Sequence, residues 1–344
     1  MKKIIFLFLF IILALSSYSQ KKLLPKVEIL QSGLKTSLRG LSVVNNNVVW
    51  VSGSNGTVGK TTNAGKNWKW MTVKGFEKND FRDIEAFDAN TAVIMAIADP
   101  AYILKTTDGG ESWKLVYENK TKGMFLDAME FRDVLNGIVI GDPVDGHFFF
   151  AKTNDGGDTW KELSKEERPK ADSGEACFAS SGTNIRYLYN KSIVFISGGK
   201  NSRVFNNFSP IEIPLTKGKE TAGGNSIAIF DNYKKTNANK MVVVGGDFNA
   251  DSLTENNCYY SNDGGNHWNR PKTPPHGYRS CVDFLNKETL VSCGLNGVDY
   301  SYDGGKNWFL ISKEGFHACR NAKFGNTVYL SGGNGKIGKL VWPE

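Results

Sequence analysis

Five segments of the chain share one eight-residue pattern, and their spacing restricts the fold more than any other feature. They are Thr61-Thr-Asn-Ala-Gly-Lys-Asn-Trp68, Thr106-Thr-Asp-Gly-Gly-Glu-Ser-Trp113, Thr153-Asn-Asp-Gly-Gly-Asp-Thr-Trp160, Ser261-Asn-Asp-Gly-Gly-Asn-His-Trp268 and Ser301-Tyr-Asp-Gly-Gly-Lys-Asn-Trp308. The general form is Ser/Thr-x-Asp-x-Gly-x-x-Trp, with Asn63 replacing Asp in the first copy. The tryptophans stand 45, 47, 108 and 40 residues apart. The long interval is two periods, so one unit has lost its signature. Arg203-Val-Phe-Asn-Asn-Phe-Ser209, followed by Ile211-Glu-Ile-Pro-Leu215, is the expected relic. Units of about 40–50 residues built from short strands imply a β-propeller.

The blades are counted from the apolar-rich stretch before each box. Such stretches occur at 37–44, 81–87, 125–131, 175–180, 225–230, 278–284 and 316–324, which predicts seven innermost strands. The last unit ends at Gly338-Lys-Leu-Val-Trp342 without an outer strand, and Val27-Glu-Ile-Leu30 has the matching character. The expected fold is therefore an all-β, seven-bladed propeller whose ring is closed by an N-terminal strand. Residues 20–344 would form one domain. Closure removes sheet edges that would otherwise invite aggregation. Composition agrees: 40% hydrophobic residues, 37 glycines and only five cysteines in 344 residues suit a globular chain without a disulfide framework.

The box has a physical rationale. Asp-x-Gly makes a tight turn with a side-chain-to-backbone hydrogen bond and a residue at positive φ. The Ser/Thr hydroxyl bonds the same turn, and the Trp packs beneath it. Asp108 with Trp113, Asp155 with Trp160, Asp263 with Trp268 and Asp303 with Trp308 are thus expected to be structural. The motif resembles the Asp-box, or bacterial neuraminidase repeat. Together with Phe81-Arg-Asp-Ile-Glu-Ala-Phe87, Gly174-Glu-Ala-Cys-Phe178 and Gly315-Phe-His-Ala318, it makes the mature chain similar to the photosystem II assembly/stability factor group, in particular to a bacterial branch often labelled "oxidoreductase". No Gly-x-Gly-x-x-Gly turn, flavin signature or haem signature supports that label, and no cofactor is expected. The resemblance implies an assembly scaffold.

Lys2-Lys3, the apolar run from Ile4 to Leu15 and the small residues of Ser17-Tyr18-Ser19 read as a signal peptide over residues 1–19. The run is too short to span a bilayer, which needs about 20 residues. The mature protein is expected to be exported and not membrane-spanning, in the periplasm or, alternatively, secreted. No sorting domain follows the last unit, which favours the periplasm.

A site would have to lie where the inner strands begin. Aligning them places Arg39, Arg82, Leu126, Glu175, Asn225, Arg279 and His317 in one column at the channel mouth. The next column holds Asp83 and Asp127, and returning loops add Asp99, Asp142 and Asp247. Convergent arginines suit carboxylates or phosphates. The alternative is a salt-bridge network, Arg82 with Asp83 or Asp127, lining a water-filled channel. Cys177, Cys281 and Cys319 share a third column between blades, and Cys281 and Cys293 could pair across a hairpin in an oxidising compartment.

Other chemistries fit less well. The formal charge of +7 comes without a basic block, so no nucleic-acid partner is expected. The loop aspartates lack Asp-x-Asp-x-Asp spacing and the four histidines are scattered, so no metal site is expected. Arg39, Arg82 and Arg279 with Glu175 superficially fit a sialidase, but its Arg-Ile-Pro segment is missing. Two function classes stay open. One is a non-catalytic scaffold that docks a protein partner, assisting, capping or plugging an outer-membrane or secretion complex. The other is a carbohydrate-active, sialidase-like hydrolase or glycan-binding protein using the funnel at the mouth.

Overall fold

The computed structural model describes residues 23–230 and 239–343; the leader at 1–19 lies outside them. Seven antiparallel sheets are arranged in a ring, and each inner strand packs on the next until blade seven returns to blade one. The seven inner strands are Leu38–Val43, Phe81–Ala86, Leu126–Phe131, Ile185–Tyr187, Ala222–Ile229, Cys281–Phe284 and Ala318–Asn321. Lys26–Gln31 pairs antiparallel with Ile337–Val341 and supplies the outer strand of blade seven. Among the described residues, no helix is long and apolar enough to cross a membrane.

Stacked blades bury both faces of their inner strands. Runs such as Ala92-Val-Ile-Met-Ala96 are therefore apolar throughout, rather than alternating, and are wholly buried. Val93 and Met95 enter the core shared with blade three, while Ile94 enters the core shared with blade one. A core of this kind fills each of the seven junctions.

The repeated turn closes between the third and fourth strands. In blade two, the Thr106 hydroxyl donates to Asp108 Oδ1 at 2.7 Å and accepts the Gly110 N–H at 3.0 Å. Asp108 in turn accepts the Ser112 N–H at 3.0 Å. The second glycine of every box lies at φ between 82° and 90°. In the first copy Ala64, at φ 61°, takes the place of the other left-handed glycine. The Trp rings pack into the cores below: Trp113 against Trp50 and Trp160 against Phe131, both edge-on. Blade four uses a different device. Arg203–Asn206 and Ser209–Glu212 are joined by Asn207 and Phe208, both at positive φ, which is a two-residue hairpin turn in place of the box.

Blade four also departs from the expected strand assignment. The stretch 175–180 is not an inner strand. Only Glu175–Ala176 is extended, paired with Gly198–Gly199 at the inner edge of blade five's sheet. Gly198 also pairs with Gly223, where a Cβ on Gly223 would lie 2.3 Å from the Gly198 Cα, so only glycine fits. The inner strand comes ten residues later. Cys177 accordingly leaves the column of Cys281 and Cys319 and packs between blades three and four. All five cysteines are buried free thiols; Cys281 and Cys293 face each other across their hairpin unbonded.

Candidate functional site

The site is shaped by β-bulges. Inner strands of blades one, two, three and five each shift register near their start, at Leu38/Gly40, Phe81/Asp83, Leu126/Ala128 and Gly224/Ser226. The extra residues are Arg39, Arg82, Asp127 and Asn225. A bulge interrupts side-chain alternation and re-aims the residue it adds. An ungapped reading sets Leu126 opposite Arg82 and Asp127 opposite Asp83. The bulges move blade three by one residue, so Asp127 shares the position of the two arginines.

A segment of the chain itself occupies the axis. Residues 177–184, the lead-in to blade four, reach all the other blades. Ala179 faces Asp127 of blade three. The Ser180 carbonyl accepts from Arg39 Nη1 at 3.3 Å in blade one, and its hydroxyl donates to Asn225 at 2.6 Å in blade five. The Ser181 hydroxyl donates to the Ser280 carbonyl in blade six at 2.8 Å, and its carbonyl accepts from Arg320 in blade seven at 2.9 Å. Gly182 lies against the Asp83 carboxylate of blade two. Residues 179–184 are all buried. A buried loop is tolerated only when its polar groups find partners, and side chains from around the ring supply them here. The expected water-filled channel is thus plugged, which divides the axis into two cavities.

The upper cavity, about 390 Å³, is the funnel. Arg39, Arg82, His317 and Asp142 line it, facing an apolar wall that includes Phe125, Phe178, Phe248 and Leu295. Burial, then the neighbouring Arg82 charge, lowers the pKa of Arg39. Arg82 donates Nε to Asp80 at 2.8 Å and lies over the Phe125 ring. Burial, then Arg39 and Arg82, hold His317 at about 3, so the imidazole is neutral and shares a hydrogen bond with Ser37 at 3.1 Å. The funnel therefore pairs two adjacent cations with an aromatic and aliphatic wall. Such a surface suits an anionic group carried beside apolar side chains. The lower cavity, about 470 Å³, is lined by opposed charges, among them Glu85, Glu130, Arg186, Asp283, Arg320 and Lys323.

Of the charged residues expected at the mouth or in the next column, Glu175, Arg279, Asp83 and Asp127 do not line the funnel. Glu175 is buried and held by Arg203, by the Ser197 hydroxyl at 2.5 Å and by the Asp172 amide at 2.8 Å. Arg279 is fully buried against Asp299 of its own blade. Asp83 lies under the plug, accepting the Ile84 and Met129 amides at 2.8 and 2.7 Å; burial, opposed chiefly by Arg320, raises it to about 8. Asp127 is buried behind the wall. Arg82 pairs with neither Asp83 nor Asp127. Conversely, Glu220 and the apolar wall were missed. They come from loops and lead-ins whose course no strand pattern marks, although Phe248 and Leu295, left substantially exposed, are apolar residues beyond strand ends.

Comparison with known proteins agrees with this architecture. Residues 25–124 match the family model described as photosynthesis system II assembly factor YCF48. No curated protein matches the chain. A solved structure of YCF48 bound to D1 peptide superposes with a TM-score of 0.63 at 17% identity, covering 92% of this chain and 97% of that one. YCF48 from Cyanidioschyzon merolae gives 0.62 at 15%, covering 92% and 98%. A GH74 xyloglucanase from Xanthomonas campestris gives 0.60 at 11%, covering 93% of this chain but 55% of that one. The chain is a seven-bladed β-propeller that resembles the YCF48 photosystem II assembly factors in fold over its whole described length and in sequence over its first blades.

Proposed function

We propose that this protein is an exported, non-catalytic docking propeller. Its funnel binds an acidic segment of a protein partner that carries apolar residues beside its charge, and the partner belongs to a cell-envelope complex that the propeller assists or caps. The observation that carries this reading is the juxtaposition of Arg39 and Arg82 with the wall of Phe125, Phe178, Phe248 and Leu295 above a closed floor. Arg39, whose proton affinity burial and the Arg82 charge lower, is costly to keep charged unless an anion arrives to share it. The plug leaves a recess rather than a passage, which suits capture of a chain end or loop. That a propeller of this fold was solved with a peptide bound is a property of that protein, and it lends the reading support. The leader pattern at 1–19 supports export. The carbohydrate-active alternative relied on Glu175 together with Arg39, Arg82 and Arg279, and Glu175 is engaged by Arg203 away from the funnel.

The test is affinity capture from native envelope extract with the tagged mature protein, alongside Arg39→Ala/Arg82→Ala and with a photo-cross-linker at Phe248. A defined complex that cross-links at 248 and loses at least tenfold in recovery with the double variant is expected. Equal recovery by the variant would move the contact to the blade rim and end the funnel reading.

A further inference from the structure

Blade three places two carboxyl groups together where the funnel wall meets the plug. Asp127 is the residue its bulge adds, at 0% exposure, and neither of its oxygens completes a hydrogen bond. The plug turns the Ala179 amide toward it, and Arg82 of blade two is the nearest positive charge it feels. Asp142 stands in the adjacent strand, one residue past the partner of Leu126, and its Oδ1 accepts the Cys177 N–H at 3.0 Å. Unlike Asp127, it opens on the funnel.

Charged and titratable groups face Asp142 from each element packed around it. Blade two offers Arg82, itself tied to Asp80. The plug lead-in offers the Cys177 amide and thiol, with Glu175 behind them. Across the cavity stand Arg39, the neutral His317 and, from the lead-in to blade five, Glu220. Two neighbouring carboxyl groups in a dry wall do not both ionise, because each loses hydration and repels the other. Asp127 is the one held neutral: burial, then the Asp142 charge, pushes it well up. Asp142 is left to titrate, raised by burial to about 6 with the Cys177 amide pulling the other way.

We propose that Asp142, backed by the buried Asp127, is a proton-operated governor of the funnel: protonated, it leaves the cavity lined by Arg39 and Arg82 open to an acidic segment, and ionised, it adds a negative charge to that same cavity and releases the segment. The inference rests on the docking reading above and adds its regulation. The sign follows from linkage. An acidic ligand disfavours a second negative charge in the cavity, so binding takes up a proton at Asp142, and affinity falls as pH rises through the free protein's value near 6. Full coupling to one proton gives about tenfold per pH unit.

Two measurements on the mature protein test this separately. The first is side-chain carboxyl ¹³C NMR of aspartate-labelled protein, with Asp142→Asn and Asp127→Asn assigning the resonances. A midpoint between pH 5 and 7 for Asp142 is expected, and one below 4.5 overturns the proposal. The second is anisotropy of a rhodamine-labelled peptide of alternating Glu and Leu between pH 5 and 7.5. At full coupling wild type should lose about thirtyfold in affinity across that range, and Asp142→Asn should stay at the tight value throughout. Asp142→Ser, which retains an acceptor for the Cys177 amide, repeats the test if the Asn variant fails to fold. PH-independent binding by wild type overturns the governor while leaving the docking reading intact. Absence of binding at every pH, with Asp142 titrating near 6, overturns the docking reading and the governor with it.

Discussion

A buried guanidinium is tolerated only where its donors are met, and Arg279 has no exposure at all. Its Nε donates to Asp299 at 2.6 Å, and Nη1 donates to the Tyr278 carbonyl and to Asn296 at 2.8 and 2.6 Å. His276 takes the other carboxylate oxygen of Asp299 at 2.6 Å. Removing one partner strands the other, so Arg279→Ala should cost about 3–5 kcal/mol of stability in denaturant unfolding. Peptide binding by the folded variant should equal that of wild type, since Arg279 does not line the funnel. A loss under about 1 kcal/mol would falsify this account of a structural pair. The placement also shows what a sequence column conveys. Arg39, Arg82 and Arg279 are indistinguishable by their place in the aligned sequence column. What separates them is Asp299, twenty residues on in the third strand of the same blade, and an ion pair of that kind leaves no local pattern. His317 was legible as a mouth residue, but its neutrality depends on two arginines from other blades.

Elements were legible wherever turn chemistry repeats, and obscure where the chain leaves the repeat. Box turns, hairpins and six of the seven inner strands follow from periodicity, because each blade meets the same packing on both faces. The plug does not. Its sign was the surplus length between Trp160 and Trp268, together with Ser180-Ser-Gly-Thr-Asn184, a small polar run that cannot continue a buried strand. Bulges were equally silent, since adding one residue changes no composition, yet they decide that Asp127 stands level with Arg39 and Arg82. Gly182 is where the plug is tightest. At φ 65°, an added Cβ would lie 2.4 Å from the Asp83 carboxylate. Gly182→Ala combines a left-handed backbone with overpacking and should destabilise by about 2–4 kcal/mol. Gly75→Ala is the matched control: φ is 84° and nothing lies within 4 Å, so only the backbone cost of about 1 kcal/mol remains. If the two variants melt alike, the plug is not packed against blade two as described.

At the scale of the whole molecule, the ring is held by its first strand. The main strands of the other blades follow one another in sequence, apart from the short Glu175–Ala176 and Gly198–Gly199 pieces that join blade five's sheet. Blade seven instead takes three strands from the C-terminal end and its fourth, Lys26–Gln31, from near the N-terminal end. That strand is anchored on both faces. Val27 packs into the core between blades six and seven, and Leu30 reaches Trp68 and Trp70 in the core between blades seven and one. The Leu30 methyl also approaches Gly65 in the first box so closely that a Cβ there would lie 2.7 Å away. The closing strand therefore secures the outer sheet edge and braces a neighbouring blade at once. Because Val27 and Leu30 serve two different junctions, detaching the closing strand loosens two cores and leaves an unpaired edge together. Val27→Asp/Leu30→Asp should accordingly lower the melting temperature by about 10 °C or more, from roughly 3–5 kcal/mol of lost burial and charge desolvation. Hydrogen exchange should show Ile337–Val341 and Val328–Ser331 losing protection first, with blades three and four, diametrically opposite, keeping theirs until global unfolding. Uniform loss of protection around the ring would instead mean that closure is distributed among all the blade junctions. Protection unchanged in blade seven would mean that the strand is bound only at its exposed edge, and that the two apolar anchors do not hold the ring.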